Sequence, residues 1–145
     1  MPVFSKSVIV KAPVETVFGF HEREDALRLL SPPFPPLRVI KKDGGLEPGS
    51  RVELKIGPVR WVALHSAFGK NQFFEDRQIA GPFAKWIHRH EFEPLGGGTR
   101  LTDRVEYQLP GGVWINRLLG WIVNFGLLQM FRQRHQLTKR YCEGA

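Results

Sequence analysis

Trp86-Ile87-His88-Arg89-His90-Glu91-Phe92 and, beyond Pro94-Leu95-Gly96-Gly97-Gly98, Leu101-Thr102-Asp103-Arg104-Val105-Glu106-Tyr107 alternate residue by residue. Successive side chains of a β-strand project to opposite faces, so the parity of such a run assigns its faces. In the second run Arg100, Thr102, Arg104, Glu106 and Gln108 form a solvent face, which turns Leu101, Asp103, Val105 and Tyr107 inward. The same parity sets Trp86, His88, His90 and Phe92 on an inner face against Lys85, Ile87, Arg89 and Glu91. The two runs therefore predict neighbouring strands whose inner face is aromatic yet carries two imidazoles and a carboxylate.

Four further strand-like runs precede these two, at residues 37–42, 50–56, 59–68 and 72–79, with Gly-bearing turns between them. Six runs at this spacing predict an antiparallel meander. In 59–68 the favoured inner set is Trp61, Ala63, His65 and Ala67, with Val62, Leu64 and Phe68 as the rival face. In 72–79 the choice between Phe74/Asp76/Gln78 and Phe73/Glu75/Arg77/Ile79 stays open. Upstream, residues 4–11 alternate as a first strand, which Ala12-Pro13 ends. Pro13 suits the first turn of a helix, and Val14, Val17, Phe18 and His21 follow at helical spacing. A second short helix is expected over 24–30. Ser31-Pro32-Pro33-Phe34-Pro35-Pro36 then forbids both helix and central strand and forms a stiff connector.

Residues 113–141 read as one helix, roughly 43 Å long at about 1.5 Å per residue. Its first two-thirds are apolar nearly all round, interrupted by Asn116, Arg117, Asn124 and Gln129. The longest polar-free stretch, Leu118 to Val123, is far short of the roughly 20 residues of a membrane span. So narrow a polar stripe calls for cover on more than one side. The sheet supplies one; the other falls to a ligand, a dimer partner, the proline connector or a membrane surface. Trp114, Trp121 and Phe125 are expected to present an aromatic ridge to the concave sheet. Arg132, Arg134, Lys139 and Arg140 read as favourable charge at a helix C-terminus on a solvated face.

The 145 residues fit one domain with a substantial core. Apolar residues make up 42% of the chain, with 11 Phe and 4 Trp, which excludes a disordered class. A single cysteine, Cys142, excludes an internal disulfide and is expected to be exposed. No secretory pattern opens the chain, so a cytoplasmic setting is expected. The net charge of +7 permits anionic partners. However, no helix-turn-helix, zinc finger, RNP-like pattern or dense basic run supports nucleic acid.

A strand, two short helices, a curved antiparallel meander and a long terminal helix form the order of the helix-grip fold. Ala12-Pro13 with Glu15-Thr16-Val17-Phe18 resembles the motif that opens the first helix in that superfamily. Arg60-Trp61 fits as well. So do Asp76-Arg77-Gln78, Gly81-Pro82-Phe83, Trp86, His88, His90 and Phe92, followed by Gly97-Gly98-Thr99, Leu101, Asp103, Val105, Tyr107 and Leu109-Pro110. The chain thus resembles the superfamily of the birch-pollen allergen, START lipid-transfer domains and polyketide cyclase/dehydrase-like proteins. Within it, the chain is similar to a bacterial branch sometimes labelled cell-division inhibitors because of a neighbouring or fused epimerase. The resemblance implies an α+β fold in which about seven strands wrap a C-terminal helix around a ligand cavity, and it keeps an epimerase neighbour or partner in view. The superfamily hosts carriers, receptors and cyclases, so the fold alone does not fix the chemistry.

Phe34, Trp61, Phe74, Trp86, Phe92, Tyr107, Trp114, Leu118, Trp121, Ile122 and Phe125 are the candidate pocket wall. His65, His88, His90 and Asp103, joined by Asp76 and Gln78 if their strand faces inward, are the polar candidates. Three readings compete for them. They form a satisfied buried network, they orient a lipophilic ligand, or His88, His90 and Asp103 act as general acid and base. His88 and His90 point the same way, as metal sites use, but a third ligand cannot be read from the sequence, and the expectation is no metal and no cofactor. Non-catalytic binding of a lipophilic small molecule leads. A cyclase- or dehydratase-like enzyme and a protein- or membrane-interaction module are the alternatives, the last with a homodimer through the C-terminal helix or a peripheral membrane contact.

Overall fold

A computed structural model describes residues 3–31 and 37–143. Seven strands run in chain order as β1 (Val3–Val10), β2 (Leu37–Asp43), β3 (Arg51–Ile56), β4 (Val59–Gly69), β5 (Phe73–Ala80), β6 (Lys85–Leu95) and β7 (Gly98–Gln108). They form one antiparallel sheet in the order β1-β7-β6-β5-β4-β3-β2. After β1 each strand pairs with its sequence neighbour, as short Gly-bearing turns dictate. The long connection from β1 leads to β2 at the opposite edge, which leaves β1 paired with β7. Helices α1 (Val14–Glu22) and α2 (Ala26–Leu30) occupy this connection, and α3 (Gly112–Glu143) follows β7. Phe34 and the proline connector lie outside the described residues.

Register shifts between Val39 and Lys41 on β2, and between Val62 and Ala63 and between His65 and Ala67 on β4, bend this half of the sheet. The second shift on β4 also changes parity. His65 pairs with Asp76, whereas Phe68, three residues on, pairs with Phe74 and packs edge-on against Phe18 at 5.7 Å. The expected inner set therefore holds for Trp61, Ala63 and His65 but fails at Ala67, where Phe68 takes the inner place. A period-two reading cannot see an extra residue in a strand. On β5 the inner face is the one with Phe74 and Asp76. The Gln78 side chain turns to the following loop, donating to the Phe83 carbonyl and accepting from its N–H.

The core has two main parts. Phe18, Phe20, Leu30, Phe74, Phe92 and Leu101 pack where α1 and α2 meet the sheet. Trp86, Val105, Tyr107, Leu127 and Phe131 pack where α3 crosses β6 and β7. Cys142 belongs to the first cluster and is buried, contrary to expectation. The last turn of α3 lies against α1, and burial pushes the thiol up to about 11, so it is an inert core group.

The largest correction concerns α3. Trp114, Leu118, Trp121, Ile122 and Phe125 do not face the sheet; Trp114 is 78% exposed, Trp121 69% and Phe125 61%. The buried side of the helix is Leu127, Phe131, His135, Thr138 and Cys142. Continued toward the N-terminus at the same spacing, that side becomes Asn124, Gly120 and Asn116. These positions meet the protein through hydrogen bonds. Tyr107 donates its hydroxyl to Asn124 Oδ1 at 2.7 Å, with the Gly120 carbonyl at 3.1 Å. Asn116 accepts from Leu109 N–H at 2.7 Å and donates back to its carbonyl at 3.0 Å. The first half of α3 is thus attached through its polar side, which turns its aromatic side outward.

Phe131 is buried and stacks on Phe4 at 5.6 Å. Replacing it with alanine should cost about 3–5 kcal/mol in chemical denaturation. Trp114→Ala should stay within about 0.5 kcal/mol of the parent, as an exposed side chain predicts. A large loss from Trp114→Ala would contradict this placement of the helix.

Candidate functional site

The inner face of β6 positions the site. His90 lies directly across from Asp103 on β7 and from Phe74 on β5, and His88 lies across from Asp76. Asp103 is the hub. Its Oδ1 accepts from His88 Nε2 at 2.8 Å and lies 2.9 Å from His90 Nδ1. Its Oδ2 accepts from His135 Nε2, on α3, at 2.6 Å. His90 Nε2 faces Asp76 Oδ2 at 3.4 Å. The His88 and His90 rings lie 3.8 Å apart, and Phe74 stacks on His90 at 3.9 Å.

The charges follow from these contacts. Burial alone would raise the Asp103 carboxyl, but bonds from His135, His88 and His90 outweigh it and hold the carboxyl well below its usual range. An ionised carboxylate only accepts, so His88 and His135 carry their protons on Nε2. For His90, burial opposes the proton, while Asp103 and Asp76 together raise its pKa and favour the imidazolium. His88 is shifted the other way, first by burial and then by the neighbouring His90 charge. Burial also lowers His65 and brings His21 to about 4. His21 donates from Nδ1 to the Val17 carbonyl at 2.8 Å, which fixes its ring in α1.

Beside this network lies a cavity of about 310 Å³. Trp61, Phe83 and Trp86 form a mutually edge-packed group at one side, with ring centroids 4.8–5.8 Å apart. Leu54, Ile56 and Leu127 extend that apolar wall. Further along β6 and its neighbours, His21, His65, Asp76, His88, His90 and Arg134 line the other side. The cavity is therefore amphipathic, and the strand register sets its division.

Of the residues the sequence singles out, Trp61, His65, Phe74, Asp76, Trp86, His88 and His90 line the cavity. Asp103 sits behind the histidines and orients them. Phe92 packs in the core with Phe18 and Phe74, and Tyr107 holds α3. Trp114, Leu118, Trp121, Ile122 and Phe125 take no part. Sequence reasoning missed His135 as an Asp103 partner and Arg134, His21, Leu127 and Met130 as lining. The spacing of Leu127, Phe131, His135, Thr138 and Cys142 was the available signal, since it gives one helical face across a segment otherwise read as solvated.

Asp76, His88 and His90 each offer one donor atom, all within 4.8 Å of one another. Donors about 2 Å from a shared ion sit roughly 3–3.5 Å apart, so this group would have to contract to hold one.

Residues 10–135 match the model of a family described as polyketide cyclase / dehydrase and lipid transport. No curated protein matches by sequence. Among solved structures, the chain is similar to a nucleoside-diphosphate sugar epimerase from Corynebacterium glutamicum, at 28% identity and TM-score 0.73 over 94% of this chain. The match spans only 28% of that longer protein. It is also similar to a START superfamily protein from Mycobacterium smegmatis, at 19% identity and TM-score 0.70, over 98% of this chain and 97% of that one. A Thermus thermophilus protein matches at 18% identity and TM-score 0.68, over 94% and 97% of the two chains. These two likenesses establish the helix-grip fold.

The lowered histidines give the site a pH signature. The unfolded chain takes up protons on histidine near 6.5, whereas folded His21 resists until about 4. Stability should therefore fall as pH drops through that window, by roughly 3 kcal/mol for this residue alone. His90, shifted upward, opposes part of the loss. In urea titrations at several pH values, His21→Gln should flatten the stability curve between pH 6.5 and 4. An unchanged slope would show that His21 is not held neutral.

Proposed function

Because the chain belongs to the polyketide cyclase / dehydrase and lipid transport family, we propose that it binds a lipophilic small molecule between the sheet and α3, as a carrier or sensor. The observation that carries this reading is the cavity of about 310 Å³ with its Trp61–Phe83–Trp86 wall. That volume lies at the lower end of ligand pockets, roughly 300–1,000 Å³, and the mixture of an apolar wall with a few convergent polar groups is what such pockets use. Asp103 supports binding over catalysis: both its oxygens are committed to imidazoles, so it serves to orient the ring nitrogens rather than to exchange protons with a substrate. The Corynebacterium glutamicum relative carries an epimerase name over a much longer chain. This favours an epimerase as neighbour or partner over epimerase activity in this chain.

The reading is tested with N-phenyl-1-naphthylamine, a neutral fluorophore that brightens in apolar surroundings. The protein should bind it with micromolar affinity. Ala63 lines the cavity, so Ala63→Phe should fill it and weaken binding by about tenfold or more while the chain remains folded. No fluorescence response in the parent protein would remove the proposal.

The outward side of α3 favours a second contact, with an anionic membrane surface. Trp114, Leu118, Trp121, Ile122 and Phe125 form an exposed apolar stripe. Arg117 and Arg132 flank it, and the chain has no acidic residue between Glu106 and Glu143. Apolar residues with flanking arginines and no acids suit the headgroup region of an anionic bilayer. The protein should co-sediment with phosphatidylglycerol vesicles at low salt, and Trp121→Glu should abolish this. Equal failure with phosphatidylglycerol and phosphatidylcholine would exclude the contact, and a parent dimer lost in the same variant would assign the stripe to a second copy.

A further inference from the structure

Arg134 is the charged group of the site that has no hydrogen-bond or ion-pair partner among the described residues. It enters the cavity from α3, one residue before His135. Its Nε is buried without an acceptor, and its guanidinium lies 5.9 Å from the Phe131 ring centroid but makes no hydrogen bond or ion pair among the described residues. The two carboxylates whose charge acts on it are already engaged. Asp103 is taken up by His88, His90 and His135. Asp76, the one carboxylate among the lining residues, faces His90. Their negative charge acts on Arg134 at a distance, against the burial that pushes its pKa down. An arginine does not escape such a position by losing its proton, as a lysine can. Arg134 is half-buried, and a buried Nε–H with no acceptor is costly, so what meets it should come from outside the chain.

The surroundings define that partner. A planar fork of donors matches a carboxylate or similar oxyanion. Trp61, Phe83 and Trp86 at the other side of the cavity suit a hydrocarbon body. His65 Nδ1, also buried without a partner, lies on the polar side with Arg134. Resting on the ligand-binding reading above, we propose that the cavity takes a lipophilic acid whose anionic head is held by Arg134 while its apolar body lies against the Trp61–Phe83–Trp86 wall.

The experiment uses the full chain at pH 7.5 with N-phenyl-1-naphthylamine as cavity probe, displaced by decanoate or by 1-decanol. The two competitors share a chain and differ in the charged head. Decanoate should displace the probe at a concentration about tenfold or more below that needed for decanol, equivalent to about 1.4 kcal/mol or more. Arg134→Met should bring the ratio near one with decanol unaffected, and Arg134→Lys should retain part of it. Arg140→Met, at an exposed position further along α3, should leave the ratio intact, which separates the cavity charge from the general positive field. Equal displacement by acid and alcohol in the parent protein would overturn this inference alone, whether or not the Arg134 variants fold, and would mean that water satisfies the guanidinium. A ratio that survives Arg134→Met would overturn it too. A parent protein that does not bind the probe would overturn the ligand-binding reading and this inference with it.

Discussion

Asp103 is a buried carboxylate that three imidazoles from two elements must satisfy. His88 and His90 come from the adjacent strand, and His135 comes from the C-terminal helix. An ionised carboxylate in the interior is tolerated only where hydrogen bonds replace its water. Each of these donors therefore constrains what surrounds it. His135 fixes the rotation of α3 over the sheet, and His88 and His90 fix the tautomers and ring orientations that face the cavity. The cavity's polar side exists because one acid behind it holds its imidazoles in place.

The same rotation explains the exposed aromatic stripe. With His135, Phe131 and Leu127 turned inward, the positions one, two and three turns before Leu127 on that side are Asn124, Gly120 and Asn116. The Asn124 side chain and the Gly120 carbonyl accept from Tyr107, and the Asn116 side chain bonds Leu109 just beyond β7, so the helix is held along its full length although half of its inner side is polar or bare. Trp114, Trp121 and Phe125 then have no position except the outer face. Hydrophobic residues that reach water through such a constraint form a patch available to a partner or a bilayer. One geometric choice, the inward turn of His135, thus shapes both the cavity and the outer surface.

The strands were the most legible part of the chain. Period-two parity placed Trp86, His88, His90 and Phe92 with Leu101, Asp103, Val105 and Tyr107, and the sheet has that register because both runs alternate without interruption. Parity failed at Ala67 and Phe68, where an extra residue enters β4. It also left β5 undecided, since that strand has a Phe and charged or polar residues on each face. The helix was legible as a helix but its rotation was not. Bulk hydrophobicity marked the aromatic side as the buried one, whereas hydrogen bonds from Asn116 and Asn124 decided otherwise. Among the cavity groups, Arg134 and His135 were hidden within a basic run, Arg132 to Arg140, that reads locally as a solvated face.

The sequence by itself determined the order of elements, the antiparallel meander, the family and the inner position of the His88–His90–Asp103 cluster. Those properties follow from local periodicity, from turn residues and from side-chain alternation, each of which acts within a few residues. Only the tertiary structure decided which side of α3 meets the sheet, that His135 completes the Asp103 network, and that Arg134 lines the cavity with its Nε–H unbonded. These depend on contacts between groups far apart in the chain, such as His135 with Asp103 and Tyr107 with Asn124. No local pattern encodes that competition, because the cost of leaving one buried carboxylate unbonded exceeds the gain from burying one more exposed aromatic.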